Sequence, residues 1–278
     1  FLTLLTLLIA DFVFGIFFKL YICQYYKGQL YYFQLPVILA YNLFMKSSIQ
    51  DKSKLVNSVF SKVYKKYDLM NDIMSFGIHR IWKNKLLDWM NPQFHNNLID
   101  VASGTGDIAK LYSNKINGSS MISCVEPNNE MFEAGKKNLQ DYKNISWHKS
   151  KAERLPFKSN TFDFYTISYG IRNVTNIDLV MQEAFRVLKP GGRFMCLEFS
   201  KVDNEMINFL YQQYSKVIPF IGQYISGSFK SYHYLVKSIN SFYSQKELVN
   251  IIKKNGFSNV EYRNLSNGIS AIHSGWKI

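Results

Sequence analysis

The segment "DVASGTGDIA", from Asp100 to Ala109, has the composition of a turn that binds a nucleotide-type cofactor. Gly104 and Gly106 lie between an apolar run and a helical pattern, where glycines let the backbone approach a ligand closely. The free N–H groups at the start of the helix favour a negatively polarised group of that ligand. The spacing also fits the G-x-G-x-x-A turn of dinucleotide-binding proteins, so more than one kind of cofactor remains open.

Two later segments add groups that suit the same ligand. Glu126 directly follows the second apolar run, about twenty residues beyond the glycines, where an acid accepts both ribose hydroxyls in doubly wound folds. The turn "KAERLPF" follows the third run, and its Leu155 and Phe157 could enclose an adenine ring. A surface glutamate and an ordinary loop with an apolar plug would give the same patterns. These segments therefore agree with the cofactor prediction but do not establish it on their own.

Short apolar runs alternate with amphipathic segments around these turns. The predicted strands are NLIDVAS, MISCVE, ISWHKS, FDFYTISYG and RFMCLEFS, the predicted helices are DIAKLYSNKI, NEMFEAGKKNLQ and IDLVMQEAFRVL, and KPGG is predicted as a turn. Strands that alternate with helices are typical of a doubly wound, mostly parallel sheet. The fold class is therefore α/β.

Helical segments flank this alternating region on both sides. "KLVNSVFSKVYKKY" and "HRIWKNKLLDWM" predict two N-terminal helices, the second of which ends at Asn91-Pro92. The stretch "YDLMNDIMSFGIHRIW", residues 67–82, has no clean period, and composition alone makes its first part an irregular turn. We predict one domain over residues 51–278, with a helical lid at 51–97 and a helical cap inserted at about 204–241.

The C-terminal region completes the predicted domain. "SQKELVNIIKKNG" predicts a helix, and "NVEYRNLS" and "GISAIHSGWKI" predict two last strands. Asn267-Gly268 between them is a hairpin signal. The sheet is therefore expected to end in an antiparallel pair.

The charge balance narrows the class of partner. The 278-residue chain has a net charge of +13, which favours an anionic partner: nucleic acid, anionic lipid or an acidic small molecule. Arginines are not clustered and no RNA-binding aromatic signature is present, so we expect no nucleic acid and favour a membrane surface or general solubility. Cys23, Cys124 and Cys196 stand singly, which predicts neither a disulfide framework nor a metal site.

Residues 1–45 differ from the rest of the chain. "FLTLLTLLIADFVFGIFF" is apolar apart from Asp11 and Gly15, and at ~1.5 Å per residue it is just long enough to span a bilayer. An acid in the middle of a span costs about 2.5 kcal/mol or more. We expect an anchor, a targeting segment, or sequence that precedes the true initiator, for which Met45 is the candidate.

Several long motifs, in order, resemble the ubiquinone/menaquinone biosynthesis C-methyltransferases. The stretch at 67–82 is similar to the first signature of that family, and "RVLKPGGRFMCLEFS" is similar to the second. "TISYGIRNVTN", "YQQYSKVIPFIGQ", "SYHYLVKSI" and "GISAIHSGWK" fit the family as well. The resemblance covers Asp51–Ile278 almost continuously and leaves residues 1–45 outside.

This resemblance implies a Rossmann-like class I methyltransferase that uses S-adenosylmethionine to methylate a ring carbon of a polyprenylated quinol. It implies that Thr105, Glu126, Ala152 and Ser168 contact the cofactor, and we predict that Asp100, Gly104 and Gly106 of the glycine turn bind it as well. Glu126 replaces the usual aspartate of the family, and Ser103 replaces a glycine. Lys151 replaces an aspartate or asparagine that faces the adenine amine, and a cation cannot accept that hydrogen bond.

The resemblance also implies the residues that act on the substrate. Arg172 and Asn173 are the catalytic candidates, with Arg172 stabilising a phenolate and holding a water. Tyr67, His79 and Tyr169 are the candidates for contact with the quinol. Taken alone, Arg172 would be expected to pair with a surface acid and His79 to be structural. About half of a set of apolar residues are expected to line a channel for the isoprenoid tail and the rest to lie in the core. The set is Tyr169, Met70, Met74, Phe76, Tyr211, Tyr214, Phe220 and Tyr224.

The favoured substrate is 2-methoxy-6-polyprenyl-1,4-benzoquinol, methylated at the matrix side of the mitochondrial inner membrane. A homodimer and contacts with other ubiquinone-biosynthesis proteins are further implications of the resemblance. Demethylmenaquinol methylation, an NAD-dependent oxidoreductase and an inactive membrane-associated scaffold are the alternatives.

Overall fold

A computed structural model describes residues 19–26, 29–36, 52–61, 64, 67–75 and 77–278. The chain divides into two units, Phe1–Leu55 and Val56–Ile278. In the first unit, β1 (Lys19–Tyr26) pairs antiparallel with β2 (Gln29–Pro36). Both strands lie within residues 1–45, the segment for which we expected an anchor or a targeting segment. The first 18 residues, where the membrane-spanning prediction falls, lie outside the described part.

The second unit is built on a seven-stranded sheet. Its strands are β3 (Leu98–Val101), β4 (Ile122–Val125), β5 (Ile145–His148), β6 (Phe162–Ser168), β7 (Leu188–Phe199), β8 (Ser258–Leu265) and β9 (Ser270–Trp276). Their order is β5-β4-β3-β6-β7-β9-β8. The first five are parallel, and β9 runs antiparallel to both of its neighbours. The predicted α/β class and terminal hairpin are confirmed.

Helices cover both faces of this sheet. They are α1 (residues 52–61), α2 (Tyr67–Ser75), α3 (His79–Met90), α4 (Asp107–Lys115), α5 (Asn129–Asn138), α6 (Ile177–Val187), α7 (Glu205–Ser226), α8 (Phe229–Asn240) and α9 (Gln245–Lys254). Side chains of Asn128, Asn176, Asn204 and Ser244 accept backbone N–H bonds and so cap four of them. Among the described residues, no helix has the length and apolar character needed to cross a bilayer.

Two local predictions were wrong. The first part of the 67–82 stretch forms the regular helix α2, because Met70 is buried in the core and the Tyr214 hydroxyl of α7 donates to the Ile73 carbonyl. The KPGG segment lies within β7 as a break in its pairing with β6. Its Gly191 N–H donates to the Lys277 carbonyl at 2.7 Å, so the segment is held by the end of the last strand.

The strand order places a crevice at the carboxyl ends of β3 and β6. The chain builds β4 and β5 on one side of β3, then returns to build β6 and β7 on the other. In open α/β sheets, ligands bind at such a switch point. The segments that the sequence analysis singled out, after Asp100 and after Ser168, both leave the sheet there.

Candidate functional site

A cavity lies in this crevice. It is lined by Lys83, Asp100, Ala102, Ser103, Thr105, Asp107, Ile108, Ser168 and Tyr169. Asp100, Thr105, Ser168 and Tyr169 were predicted as site residues, so the fold brings four of them together. Gly104, Gly106, Glu126, Ala152, Arg172, Asn173 and His79 are not among the lining residues.

The backbone of the two loops at the cavity is tightly constrained. Ala102 and Tyr169 have positive φ angles of 53° and 55°, which costs of order 1–3 kcal/mol for residues with a side chain. A Cβ added to Gly170 would lie 2.5 Å from the Ala102 Cβ, and one added to Gly106 would lie 2.5 Å from Leu139 Cδ1. Only glycine fits at these two positions without a shift. The loops therefore approach each other closely and hold the cavity in one shape.

Asp100 and Ser168 bring buried polar atoms without partners to this cavity. Asp100 Oδ1 accepts a hydrogen bond from Thr166 Oγ1 at 2.8 Å. In the described part of the chain, neither Asp100 Oδ2 nor Ser168 Oγ has a hydrogen-bond partner, although both are buried. Burial raises the pKa of Asp100 to about 7. Since buried polar groups are rarely left unpaired, these atoms are suited to the donors of a ligand.

Lys83 adds a cation that the sequence analysis missed. It is buried on α3, and its Nζ lies 2.5 Å from Oδ2 of Asp107 in the first turn of α4. Both side chains line the cavity, so an anionic group of a ligand could replace Asp107 as the partner of the Lys83 ammonium group. The position of Lys83 directly after Trp82, the last residue of the first signature, was the available signal. It was not recognised because lysines are ordinarily exposed.

Glu126 organises the glycine loop rather than lining the same cavity. One of its carboxylate oxygens accepts from Gly104 N and the other from Asn128 N, both at 2.9 Å. Burial raises the pKa of Glu126 to about 7. The Asn128 side chain also donates to Asn57 Oδ1 at 2.6 Å and to Ser61 Oγ at 3.0 Å, both on α1. The lid helix α1 is thereby fastened beside the predicted ribose acid.

The residues predicted around an adenine are in place beside β5 and β6. Ala152 and Leu155 are buried, and the Phe157 ring packs edge-on against His148 with the centroids 4.7 Å apart. Lys151 is exposed. The Ser103 hydroxyl donates to the Asp100 carbonyl at 2.6 Å and accepts from Val125 N at 3.1 Å. The serine that replaces a family glycine therefore ties the loop to β4.

Arg172 lies beyond Tyr169, in the short 3₁₀ turn Ile171–Asn173. Its Nη1 donates to Glu198 Oε1 at 2.6 Å and to the Tyr169 carbonyl at 2.7 Å. Both charged side chains are buried, so the acid is not the surface partner expected for an isolated arginine. Burial raises the pKa of Glu198, and Arg172 opposes that shift. Arg172 Nε is buried and without a hydrogen-bond partner among the described residues.

The cap closes over this turn. Asn173 Oδ1 accepts from the Tyr234 hydroxyl of α8 at 3.1 Å. Tyr211 of α7 is buried nearby. Its hydroxyl has no hydrogen-bond partner in the described part of the chain. Burial raises the pKa of Tyr211, and the charge of Arg172 opposes the rise. The predicted catalytic pair therefore lies between the sheet edge and two aromatic residues of the cap.

The three residues predicted to contact the substrate do not all lie at the cavity. Tyr169 lines the cavity. The buried His79 ring has Nδ1 3.0 Å from Ser75 Oγ, which itself donates to the Asn71 carbonyl, so the network assigns the ring proton to Nδ1. Burial lowers the pKa of His79 to about 4. His79 thus fastens the lid as a neutral side chain, while the side chain of Tyr67 lies outside the described part.

The sheet order, the glycine loop and the acid after β4 define a Rossmann-like class I methyltransferase. In agreement, a SAM-dependent methyltransferase from Thermotoga maritima, described as a possible histamine N-methyltransferase, superposes with a TM-score of 0.58. The match covers 80% of this chain and 99% of that one at 20% identity, which shows the shared fold. Residues 46–277 match the ubiE/COQ5 methyltransferase family, and the chain belongs to that family.

Two relatives illustrate how close the match is. The chain is 46% identical over 261 residues to the mitochondrial 2-methoxy-6-polyprenyl-1,4-benzoquinol methylase of Dictyostelium discoideum, with 82% of this chain and 83% of the relative covered. It is 48% identical over 242 residues to the ubiquinone/menaquinone biosynthesis C-methyltransferase UbiE of Rickettsia bellii, with 84% and 97% covered. The cofactor is therefore S-adenosylmethionine, and the oxidoreductase alternative is wrong.

Proposed function

We propose that this protein methylates a ring carbon of 2-methoxy-6-polyprenyl-1,4-benzoquinol in ubiquinone biosynthesis. The name of the Dictyostelium relative supports this substrate. The observation that carries the chemistry is the buried Arg172, held by Glu198 one turn beyond a cavity residue. A fixed, permanently charged guanidinium at that place suits a reaction in which a phenolate forms.

The cavity has the groups that the amino-acid end of S-adenosylmethionine requires. The unpaired Asp100 Oδ2 and Ser168 Oγ can accept hydrogen bonds from the ammonium group, and Lys83 can bind the carboxylate. Glu126 stands after β4 as the ribose acceptor, with both oxygens already oriented by backbone donors. When bound, the cofactor supplies an electrophilic methyl group on its sulfonium.

Arg172 prepares the acceptor carbon. Loss of a phenol proton delocalises negative charge onto the ortho carbon, which would then take the methyl group as the methyl–sulfur bond breaks and the sulfur leaves as a neutral thioether. The hydrogen of that carbon would then leave as a proton, which restores the aromatic ring and the phenol. Arg172 cannot act as a base because it keeps its proton, so its role is to lower the phenol pKa and to hold a water that takes the proton. Nη1 is engaged by Glu198 and Tyr169, so the unpaired Nε and the Nη2 group are the donors left for that purpose.

The same proposal assigns the location and the partners. The mitochondrial location is supported by the name of the Dictyostelium relative, and we place the enzyme peripherally at the matrix side of the inner membrane. A homodimer and contacts with other ubiquinone-biosynthesis proteins belong to this proposal. Methylation of demethylmenaquinol is the second candidate, because the Rickettsia relative carries both quinones in its name.

A quinone profile measured by mass spectrometry after depletion of the protein tests the proposal. We expect the methoxylated benzoquinol precursor without the ring methyl to accumulate, and restoration by the wild-type chain but not by Arg172→Ala. Purified protein offered short-tail benzoquinol and naphthoquinol acceptors then separates the two candidates. Methylation of the naphthoquinol alone would overturn the proposed substrate.

A further inference from the structure

Helix α7 has apolar side chains on two opposite sides. On its inner side, Tyr211 and Ile218 are buried. On its outer side, large apolar residues are 51–93% exposed. We call these the outer face of α7: Met206, Phe209, Leu210, Val217, Phe220 and Tyr224. Phe220 and Tyr224, which were among the candidates for a channel, therefore point away from the interior.

The outer face forms a stripe along one side of α7. Its residues recur at intervals of three, four and seven, and the exposed Gln213 lies among them between Leu210 and Val217. The helix has 22 residues, which gives it a length of roughly 33 Å. Single exposed apolar residues are ordinary, whereas six large ones on one side of a helix mark an interaction surface.

Within residues 204–241, the charge is mostly positive. Residues 204–241 contain three lysines, Lys216, Lys230 and Lys237, all exposed, and their only acid is Glu205 in the first turn of α7. The stripe also continues towards α8, because the Phe220 and Phe229 rings meet edge-on with the centroids 5.3 Å apart. Lys230 follows directly in sequence. The surface is thus apolar along its centre and cationic at its margin.

We propose that the outer face of α7 docks on an anionic lipid bilayer. Phenylalanine, leucine and tyrosine side chains would enter the interface between headgroups and acyl chains, and the lysines would lie at the headgroups. A second copy of this chain fits less well, since it would bring a like-charged margin against these lysines. The bilayer therefore matches both the apolar stripe and the charge.

Docking in this way would bring the site close to the lipid. The charge of Arg172 acts on the buried Tyr211 of α7, so the turn lies towards the inner side of this helix, away from the outer face. A polyprenylated acceptor would then have a short path from the membrane. This consequence rests on the proposed function, whereas the docking itself does not.

Flotation with vesicles tests the docking without any turnover. The full chain is mixed with phosphatidylcholine vesicles with or without cardiolipin, and the fraction that floats is measured. We expect wild type to float with the anionic vesicles and Phe209→Gln/Phe220→Gln to lose at least tenfold in partitioning. The matched control is Phe94→Gln/Met121→Gln. It removes two similarly exposed apolar residues that lie before the amino-terminal ends of β3 and β4, and it should float as wild type does.

A second variant reports insertion without removing apolar surface. Tyr224→Trp places an indole at the most exposed position of the stripe, and its emission should shift to the blue when anionic vesicles are added. The wild-type spectrum, with its four native tryptophans, is subtracted. Each variant is also checked for its melting temperature, its S-adenosylmethionine affinity and its methylation of a short-tail quinol. We expect all three to match wild type, which separates loss of docking from loss of the proposed activity.

Several outcomes would overturn the proposal. One is wild-type protein that does not float with the anionic vesicles. Another is a Phe209→Gln/Phe220→Gln variant that floats normally, and a third is a Tyr224→Trp variant without a spectral shift. If instead the glutamine variant floats but loses mass on gel filtration with light scattering, the outer face is an interface between copies. Failure of methylation with intact flotation would contradict the proposed function and leave the docking standing.

Discussion

The loop after β3 and the turn after β6 meet at the same edge of the sheet, yet they treat their buried charges differently. Asp100 keeps one oxygen without a partner in the described part of the chain, and its pKa is raised to about 7. Arg172 is instead held by Glu198 at 2.6 Å and by the Tyr169 carbonyl. The carboxyl of Asp100 therefore has no charged partner until a ligand binds, whereas the charge of Arg172 is already compensated by Glu198, and the Arg172 Nε lacks a hydrogen-bond partner among the described residues.

This difference fits two kinds of task. A cofactor must enter and leave at each cycle, so its groups can supply the hydrogen bonds that Asp100 and Ser168 lack. A charge that stabilises a transition state acts best when it is fixed in advance, because no reorganisation is then needed during the reaction. Variants on the two sides should therefore fail in different measurements.

The largest effect is expected from removing the partner of Arg172. Glu198→Ala leaves a buried guanidinium uncompensated and should lower the free energy of unfolding by about 3–5 kcal/mol. Chemical denaturation measures this change. Glu198→Gln keeps an oxygen acceptor and should lose less. A loss below about 1 kcal/mol for the alanine variant, the size typical of an exposed pair, would contradict the view that this pair is buried and essential.

Arg172→Ala should separate turnover from cofactor binding. Loss of one preorganised donor lowers turnover by about 10²–10³-fold, while the S-adenosylmethionine dissociation constant should hardly change. Single-turnover methyl transfer and calorimetry measure the two quantities. Arg172→Lys keeps the charge but not the planar fork, and should recover only part of the rate. Unchanged turnover in the alanine variant would refute the assigned role.

On the cofactor side, backbone geometry should matter most. In Gly106→Ala the added Cβ would lie 2.5 Å from Leu139 Cδ1 at a φ of +90°, so the loop must shift and cofactor affinity should fall. Gly118 is a matched control, since it also has a positive φ, +68°, but has nothing within 4 Å of the added atom. Gly118→Ala should cost only backbone strain of order 1–3 kcal/mol and leave affinity intact. Equal affinity losses would contradict the close-approach explanation.

Lys83→Met tests the cation that the sequence analysis missed. A charge-assisted hydrogen bond is worth about 1.5–3 kcal/mol, so S-adenosylmethionine should bind at least about tenfold more weakly. The decarboxylated form of the cofactor should bind both proteins alike, because it lacks the group that Lys83 contacts. Lys85→Met, on an exposed position of the same helix, is the control. An equal loss for both ligands would assign Lys83 to the lid structure alone.

Local signals predicted much of the fold. The limits of α3 at His79 and Met90 follow from its apolar period and from Asn91, which ends the helix with a left-handed φ of 50°. The glycine turn and Glu126 likewise follow from short spacings. Helix α2 could not be predicted, because its contacts with Tyr214 of α7 come from more than a hundred residues away in the chain.

The contacts on the substrate side could not be predicted, because they join residues that are far apart in the sequence. Arg172 and Glu198 meet only because β6 and β7 are neighbours in the sheet, and either residue alone is typical of the surface. Lys83 meets Asp107 because the lid crosses the start of α4. The family motifs identified Arg172 but gave no indication of its partner. Long-range contacts are what the sequence left open.

The smallest expected effect is on the pH dependence of stability, which tests whether Asp100 lacks the compensation that Arg172 has. Asp100 has a pKa of about 7 in the folded chain against 3.8 for the free side chain, so the folded state keeps a proton that the unfolded state loses between these values. Asp100 alone therefore makes the stability of the cofactor-free protein fall as pH rises from about 4 to 7, by at most about 1.4 kcal/mol per unit. Glu126 contributes with the same sign, whereas His79 and His273, whose pKa values burial lowers to about 4, contribute with the opposite sign. Asp100→Asn removes only the contribution of Asp100, so the test is the difference in slope between the variant and wild type. Denaturation at a series of pH values measures both slopes, and an identical slope in the variant would mean that the pKa of Asp100 is the same in the folded and unfolded chain, which would contradict the view that its carboxyl lacks compensation until a ligand binds.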